Sequence, residues 1–182
     1  MNKKIIILDR DGVINHDRGD YIREFEHFQM FDGVAQSIAR LSSAGFFIAL
    51  ATNQSALGRK ITTLQTVEKI HYQIEKEVEK YGGKVNFIAY CPHHPDENCS
   101  CRKPKDGLFK QISAQFKAEL TGGYMVGDSQ RDLVPAIKHK MKPVLVLTGN
   151  GKKTLESLQL RGVLIAESLN SFTQMLLDEK NI

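Results

Sequence analysis

Short apolar runs separated by amphipathic stretches constrain this chain more than any other feature. The runs occupy residues 4–8, 46–51, 85–90, 124–126, 144–147 and, more weakly, 163–166. Near-continuous hydrophobicity over so few residues marks strands buried on both faces, as in a parallel sheet. Between the runs, apolar residues recur at helical spacing. Val34, Ile38 and Leu41 follow Asp32, the expected N-cap, and Gly45 supplies a stop. Val67, Ile70, Ile74 and Val78 form a second stripe, closed by Gly82 and Gly83. Leu108, Ile112 and Phe116 form a third, and Leu133 with Ile137 a fourth. This alternation predicts βαβ units packed as an α/β sandwich. No repeat, low-complexity tract or linker interrupts residues 1–182, so a single domain is expected.

Composition sets the bounds on partners. With 182 residues, 41% hydrophobic and 25% charged, the chain can bury a substantial core. Its formal net charge of +4 is spread without a block of like charges, so no nucleic-acid partner is expected. Lys3 and Lys4 precede an apolar run, but Asp9 and Arg10 end it too soon for a signal peptide. No stretch approaches the length of a membrane span, and a cytoplasmic protein without a membrane partner is expected. All 3 cysteines lie within residues 91–101. An odd, clustered count is unlike a secreted disulfide framework and fits a metal site in a reducing compartment.

In open α/β sheets, ligands bind beyond the carboxyl ends of the strands. Four such ends carry polar clusters here. The first is Asp9-Arg10-Asp11-Gly12-Val13-Ile14-Asn15. Two carboxylates two residues apart can converge as the strand unwinds, one to attack phosphorus and the other to handle a proton. Asp-Gly alone would be only a turn dipeptide, but the whole string directly after a strand argues for chemistry. The second is Thr52-Asn53-Gln54-Ser55, whose short side chains and backbone N–H groups could hold phosphate oxygens, though such residues also serve as caps. The third, Arg102-Lys103-Pro104-Lys105, could bring a fixed ammonium to a phosphate. In the fourth, Gly127-Asp128-Ser129-Gln130-Arg131-Asp132, Asp128 could join Asp9 on a magnesium ion. Asp132 could ligate, orient or cap a helix.

The segment Cys91-Pro92-His93-His94-Pro95-Asp96-Glu97-Asn98-Cys99-Ser100-Cys101 supplies three thiolates and an imidazole. Four filled positions around one tetrahedral ion mean a structural zinc with no place for water. Either His93 or His94 could be the imidazole ligand.

In this order, DxDGxxN, TNQS, RKP and GDxxxD resemble the haloacid dehalogenase superfamily of phosphatases, from residue 5 to about residue 150. The resemblance implies Asp9 as the nucleophile, Asp11 as general acid and base, and Thr52 with Lys103 as the pair stabilising the phosphoryl group. It also implies magnesium held by Asp9, Asp128 and the backbone carbonyl of Asp11. A zinc loop followed by Arg-Lys-Pro resembles one subgroup without a large cap domain, which holds heptose-bisphosphate and histidinol-phosphate phosphatases. That likeness selects His93 to join Cys91, Cys99 and Cys101 on zinc. The stretches 15–21 and 52–55 look more like the heptose enzymes, although Asp20 is an extra residue relative to their pattern. The short spacing from His93 to Cys99 does not separate the two groups. The implied substrate contacts are Asp17, Gly19, Tyr21, Asn53, Gln54, Ser55 and Arg102. The implied whole is a monomer with a Rossmann-like three-layer sandwich, magnesium and zinc as cofactors, and a phosphorylated sugar as substrate. Its reaction would remove the 7-phosphate of a heptose 1,7-bisphosphate, a step toward ADP- or GDP-heptose and the lipopolysaccharide core, with histidinol phosphate as the alternative substrate. Residues from Thr154 onward give no functional signal.

Overall fold

Every residue from Ile5 to Leu8 is buried, which requires a strand with a packed layer on each face. The computed structural model describes residues 3–178. Its strands are β1 (Lys4–Leu8), β2 (Phe46–Asn53), β3 (Phe87–Cys91), β4 (Tyr124–Gly127), β5 (Lys142–Val146) and β6 (Leu164–Ala166). They form one sheet of order β3-β2-β1-β4-β5-β6, in which every neighbouring pair is parallel. Ile6 pairs with Ile48 on one side and Tyr124 on the other, and Leu8 with Leu50 and Val126.

The helices are α1 (Val34–Ser43), α2 (Ser55–Gly58), α3 (Leu64–Lys80), α4 (Gly107–Phe116), α5 (Gln130–Lys138), α6 (Gly151–Glu156) and α7 (Leu169–Asp178). Alternation along β1 divides the core between the two faces of the sheet. Ile6 and Leu8 pack with the apolar sides of α1, α3 and α7. Ile5 and Ile7 pack with α4 and with Ala136 of α5. The result is a three-layer α/β sandwich. No helix among the described residues is long and apolar enough to cross a membrane.

Expected and observed elements differ in detail. β2 runs on to Asn53, carrying its polar end past the edge of the core, and β3 begins at Phe87. Asp32 does not cap α1. Gly33 takes the N-cap at φ 73°, a left-handed conformation open to glycine, while the Asp32 carbonyl accepts a bond from Asn170 Nδ2 at 2.9 Å. Ile137 is not part of the buried stripe of α5; it is 45% exposed. Asp132, Leu133, Pro135 and Ala136 are the buried residues, so the inward face leaves Ile137 at its rim.

Strand order reverses at β1 and β4. In such sheets the crevice between the carboxyl ends of the two central strands is the natural ligand site. Asp9 and Asp128 each follow one of those strands.

Candidate active site

Asp9 leaves β1 with its N–H donating to the Val126 carbonyl at 2.9 Å, so the first residue past the strand is still held by β4. The loop then folds tightly over one acceptor. The Arg10 carbonyl receives the N–H groups of Val13, Ile14 and Asn15 at 3.2, 2.8 and 3.2 Å. Gly12 makes this possible, with φ 84° and no side chain. A Cβ there would overlap the Asp128 carboxylate, so only glycine lets the β1 loop lie against the β4 loop.

Three buried carboxylates meet in the crevice. Oxygens of Asp9, Asp128 and Asp132 lie within 4.8 Å of one another. Lys103, fully buried, places Nζ 2.9 Å from Asp9 Oδ1 and 2.7 Å from Asp132 Oδ1, and donates to the Ala51 carbonyl at 2.6 Å. Lys103, even with the more distant Arg131 guanidinium acting on all three, does not balance three anions. Burial, and then Asp132, push Asp9 up to about 7 against the opposing pull of Lys103. Burial and Asp132 likewise raise Asp128 to about 6. Burial opposes the charge on Lys103, but Asp132 and Asp9 outweigh it and raise its pKa. Asp128 Oδ1 is buried without a partner. A surplus of buried carboxylate charge with an orphaned oxygen fits a hard divalent cation such as magnesium. Asp132 itself both caps and orients: its Oδ2 accepts from Ser129 N at 3.0 Å while Oδ1 faces Lys103.

Asp11 turns to the other side of the loop. Its Oδ1 accepts from Arg10 Nε at 3.2 Å, Arg10 Nη2 at 2.7 Å and Asn15 Nδ2 at 2.9 Å. Its Oδ2 accepts from Arg10 Nη2 at 2.9 Å and Gln54 Nε2 at 3.0 Å. Burial alone would raise Asp11, but Arg10, Asn15 and Gln54 together bring its pKa below the ordinary value. Gln54 Nε2 also reaches Thr52 Oγ1 at 2.8 Å, linking the second motif to the first. Asn53 donates to the Lys103 carbonyl at 3.1 Å and accepts from the Lys103 N–H at 3.0 Å, a clamp on the residue that carries the ammonium.

A small polar hollow joins Asp11 to Asp17, Tyr21, Asn53, Gln54 and Ser55. Gly19 and Arg102 are not among its lining residues. Gly19 N donates to Asp17 Oδ1 at 3.0 Å, and Arg102 buries its Nη1 without a partner. A roomier cleft of about 500 Å³, walled by Phe25, Phe28, Met30 and Tyr81 among others, shares no residue with this cluster. The smaller hollow opens beside Asp11 and Asp17, whereas Asp9, Lys103, Asp128 and Asp132 are not among its lining residues.

The cysteine segment closes on itself. Cys91 and Cys101 each stand 3.5 Å from Cys99 between sulfurs, and His93 Nδ1 lies 3.6 Å from Cys91 and 3.2 Å from Cys101. Ligand arms of about 2.3 Å give tetrahedral edges of about 3.7 Å, so the spacing matches one zinc. Burial, and then the neighbouring Cys91 and Cys99 sulfurs, push the Cys101 thiol up to about 12, and a divalent cation would relieve that crowding. His94 points elsewhere: its Nδ1 accepts from Asp96 N at 3.3 Å and caps the short turn Pro95–Glu97.

Several residues at the site had no role in the sequence reading. Asn150 donates to Asp128 Oδ2 from its backbone at 2.8 Å and from Nδ2 at 3.2 Å, and Nδ2 also reaches Asp17 at 3.1 Å. Thr148 donates to the Gly12 carbonyl at 2.6 Å, and Thr154 to the Asp128 carbonyl at 2.8 Å. The signal was there: Thr148-Gly149-Asn150-Gly151 is a polar turn just past a fifth apolar run. Arg10 was passed over as the spacer between two aspartates.

Comparison with known proteins agrees with this geometry. Residues 100–172 match a HAD-hydrolase-like family model. The D-glycero-beta-D-manno-heptose-1,7-bisphosphate 7-phosphatase of Pseudomonas putida is 43% identical over 174 residues, 96% of this chain and 99% of that one. The enzyme of the same name from Neisseria meningitidis is 45% identical over 152 residues, 84% of this chain and 81% of that one. Among solved structures, the D,D-heptose 1,7-bisphosphate phosphatase of B. bronchiseptica, complexed with magnesium and phosphate, superposes with a TM-score of 0.93. Its identity is 41%, with 97% of this chain and 99% of that one covered. With its strand-end carboxylates, buried lysine and relatives matched along nearly their whole length, the chain belongs to the HAD-like hydrolases, in the family of the heptose-bisphosphate phosphatases.

Proposed function

We propose that this chain removes the 7-phosphate of a D-glycero-D-manno-heptose 1,7-bisphosphate through an aspartyl-phosphate on Asp9. The observation that carries the reaction type is the buried set Asp9, Lys103, Asp128 and Asp132 at the carboxyl ends of the two central strands. The names of the relatives favour the sugar bisphosphate over histidinol phosphate.

In the first half-reaction, an Asp9 oxygen attacks phosphorus, the ester P–O bond breaks, and the leaving oxygen takes a proton from Asp11. In the second, water attacks the same phosphorus and gives its proton to Asp11. The bond to Asp9 then breaks, releasing inorganic phosphate. Lys103 and Thr52 provide donors for the phosphoryl oxygens from fixed positions. Magnesium, held by Asp9 and Asp128, would supply positive charge against the phosphate oxygens. Cys91, His93, Cys99 and Cys101 would hold zinc, which would order the loop that delivers Arg102 and Lys103. Asp17, Gly19, Tyr21, Asn53, Gln54, Ser55 and Arg102 are the proposed contacts to the rest of the sugar bisphosphate, and Asn53 also holds the Lys103 backbone. The same reading takes the enzyme as a cytoplasmic monomer, since a cluster of zinc-holding thiolates without disulfides suits a reducing compartment.

The test is kcat/KM with magnesium on heptose 1,7-bisphosphate and on histidinol phosphate. A preference of tenfold or more for the sugar is expected; the reverse preference moves the assignment to histidinol phosphate. Asp9→Asn keeps the shape of the side chain but not its nucleophilicity, and is expected to lower kcat by several powers of ten. Activity within about tenfold of wild type would remove Asp9 from the mechanism.

A further inference from the structure

Arg10 lies between the two motif carboxylates in sequence and touches both in space. Its backbone N–H donates to Asp9 Oδ1 at 2.8 Å, and its guanidinium grips both oxygens of Asp11 at 2.7 to 3.2 Å. The side chain is 2% exposed, so this long cation is folded inward. Among the described residues, Asp11 is the only carboxylate within ion-pair distance of it. The nearby His71 adds no charge, since burial and then Arg10 push its pKa down to about 3. Asn15 and Gln54 complete the hold on Asp11 at 2.9 and 3.0 Å.

A buried guanidinium with one anionic partner fixes that partner in position and direction, because its fork accepts a carboxylate in few orientations. We propose that Arg10 is a positioning residue for Asp11, holding the acid–base carboxylate so that the leaving oxygen of the ester meets it in one geometry. The inference rests on Asp11 being the acid–base group of the reaction above. As the ester P–O bond breaks, the proton passes from Asp11 to the leaving oxygen and its electron pair stays on the carboxylate. Arg10 already faces that developing charge and needs no rearrangement to meet it.

The prediction turns on the leaving group. An aliphatic alkoxide needs a proton as it departs, whereas a nitrophenolate hardly does. With the full chain carrying zinc and magnesium, Arg10→Met is expected to lower kcat/KM on heptose 1,7-bisphosphate by ~10²–10³-fold, within the range of a positioned acid–base. On p-nitrophenyl phosphate the expected loss is about tenfold or less. Arg10→Lys keeps the charge without the fork and is expected to recover part of the sugar-phosphate activity. In an Asp11→Asn background, adding Arg10→Met is expected to lower the rate by less than about threefold, since a group acting through Asp11 has nothing left to position. Equal losses on the two esters, or a full further loss in the double variant, would overturn the proposal and leave Arg10 a purely structural residue. If Asp11→Asn distinguishes the esters and Arg10→Met does not, only the role of Arg10 fails. If Asp11→Asn distinguishes neither, the acid–base assignment of Asp11 falls with it.

Discussion

Lys103 faces Asp9 and Asp132 at once, while Asp128 has no ion pair among the described residues, and this imbalance shapes how the site responds to pH. Asp9 rises to about 7 and Asp128 to about 6, each above its ordinary value of 3.8. The folded chain without magnesium therefore holds protons that the unfolded chain releases. Its stability from these groups is present below pH 4 and is lost as pH climbs toward 7. His71 has the opposite sign: with its pKa lowered to about 3, it adds stability as pH rises from there to 6.5, above which the gain is complete. The clean readout is thus the increment in Tm that magnesium produces. The ion competes with the protons on Asp9 and Asp128, so its binding tightens with pH. At a hundredfold excess over Kd, binding contributes about 2.7 kcal/mol. For a chain of this size that is roughly 5–10 °C. We expect that increment at pH 8 and less than half of it at pH 5. Equal increments would mean both carboxylates are already ionised at pH 5. The sequence joined Asp128 to Asp9 but also expected Asp11 to converge there; Asp11 instead turns to Arg10, Asn15 and Gln54, and Asp132 takes the third place in the cluster. Whether Asp132 caps, orients or ligates depends on α5 rotating it inward against Lys103, which no spacing rule specifies.

Elements carry the next level of control, and the zinc loop is the clearest case. It runs from the end of β3 to the start of α4, and its last ligand, Cys101, is two residues before Lys103. Spacing pointed to a metal site at the three cysteines but left His93 and His94 open; the structure gathers Cys91, His93, Cys99 and Cys101, while His94 caps the turn Pro95–Glu97. The function of Asn53 was not legible, since an amide can bond a sugar hydroxyl or a backbone equally well; here it takes the Lys103 backbone. The floor of the loop was equally invisible. Gly58, at the end of α2, lies so close that a Cβ would overlap the His94 nitrogen and come within 2.7 Å of the His93 carbonyl carbon. Gly58→Ala must therefore push the loop away from α2. We expect zinc retention against a chelator to weaken and kcat/KM to fall by about 10–100-fold, the usual effect of disturbing support around a metal ligand. Cys99→Ser should do the same by removing a ligand. Unchanged zinc content and unchanged activity in Gly58→Ala would mean the loop tolerates displacement and does not position Lys103.

For the molecule as a whole, the sheet separates stability from chemistry along its length. The apolar runs made six strands legible, but not their order, which follows from crossovers that carry α1 and α3 to one face and α4 and α5 to the other. Of the C-terminal segment that seemed silent, Thr154 reaches the site through the Asp128 carbonyl, while α7 works by packing. In α7, Leu169, Phe172 and Leu176 are buried at helical spacing, and Asn170 ties the helix to Ser37 at 2.8 Å. The Phe172 ring meets Tyr124 with centroids 5.4 Å apart. Tyr124 opens β4, whereas Asp128 follows its other end, so Phe172 packs at the end of the sheet away from the carboxylates. Phe172→Ala should leave a cavity under α7 and destabilise the fold by about 3–5 kcal/mol. That corresponds to a fall in Tm of roughly 6–20 °C. At 20 °C, well below the transition, kcat should stay within about twofold of wild type, because the substitution reaches neither Lys103 nor any carboxylate. Thermal melts and steady-state kinetics on the same preparation decide it. A large drop in kcat with little change in Tm would show that α7 acts on the site through the sheet, and that the two ends of β4 are coupled.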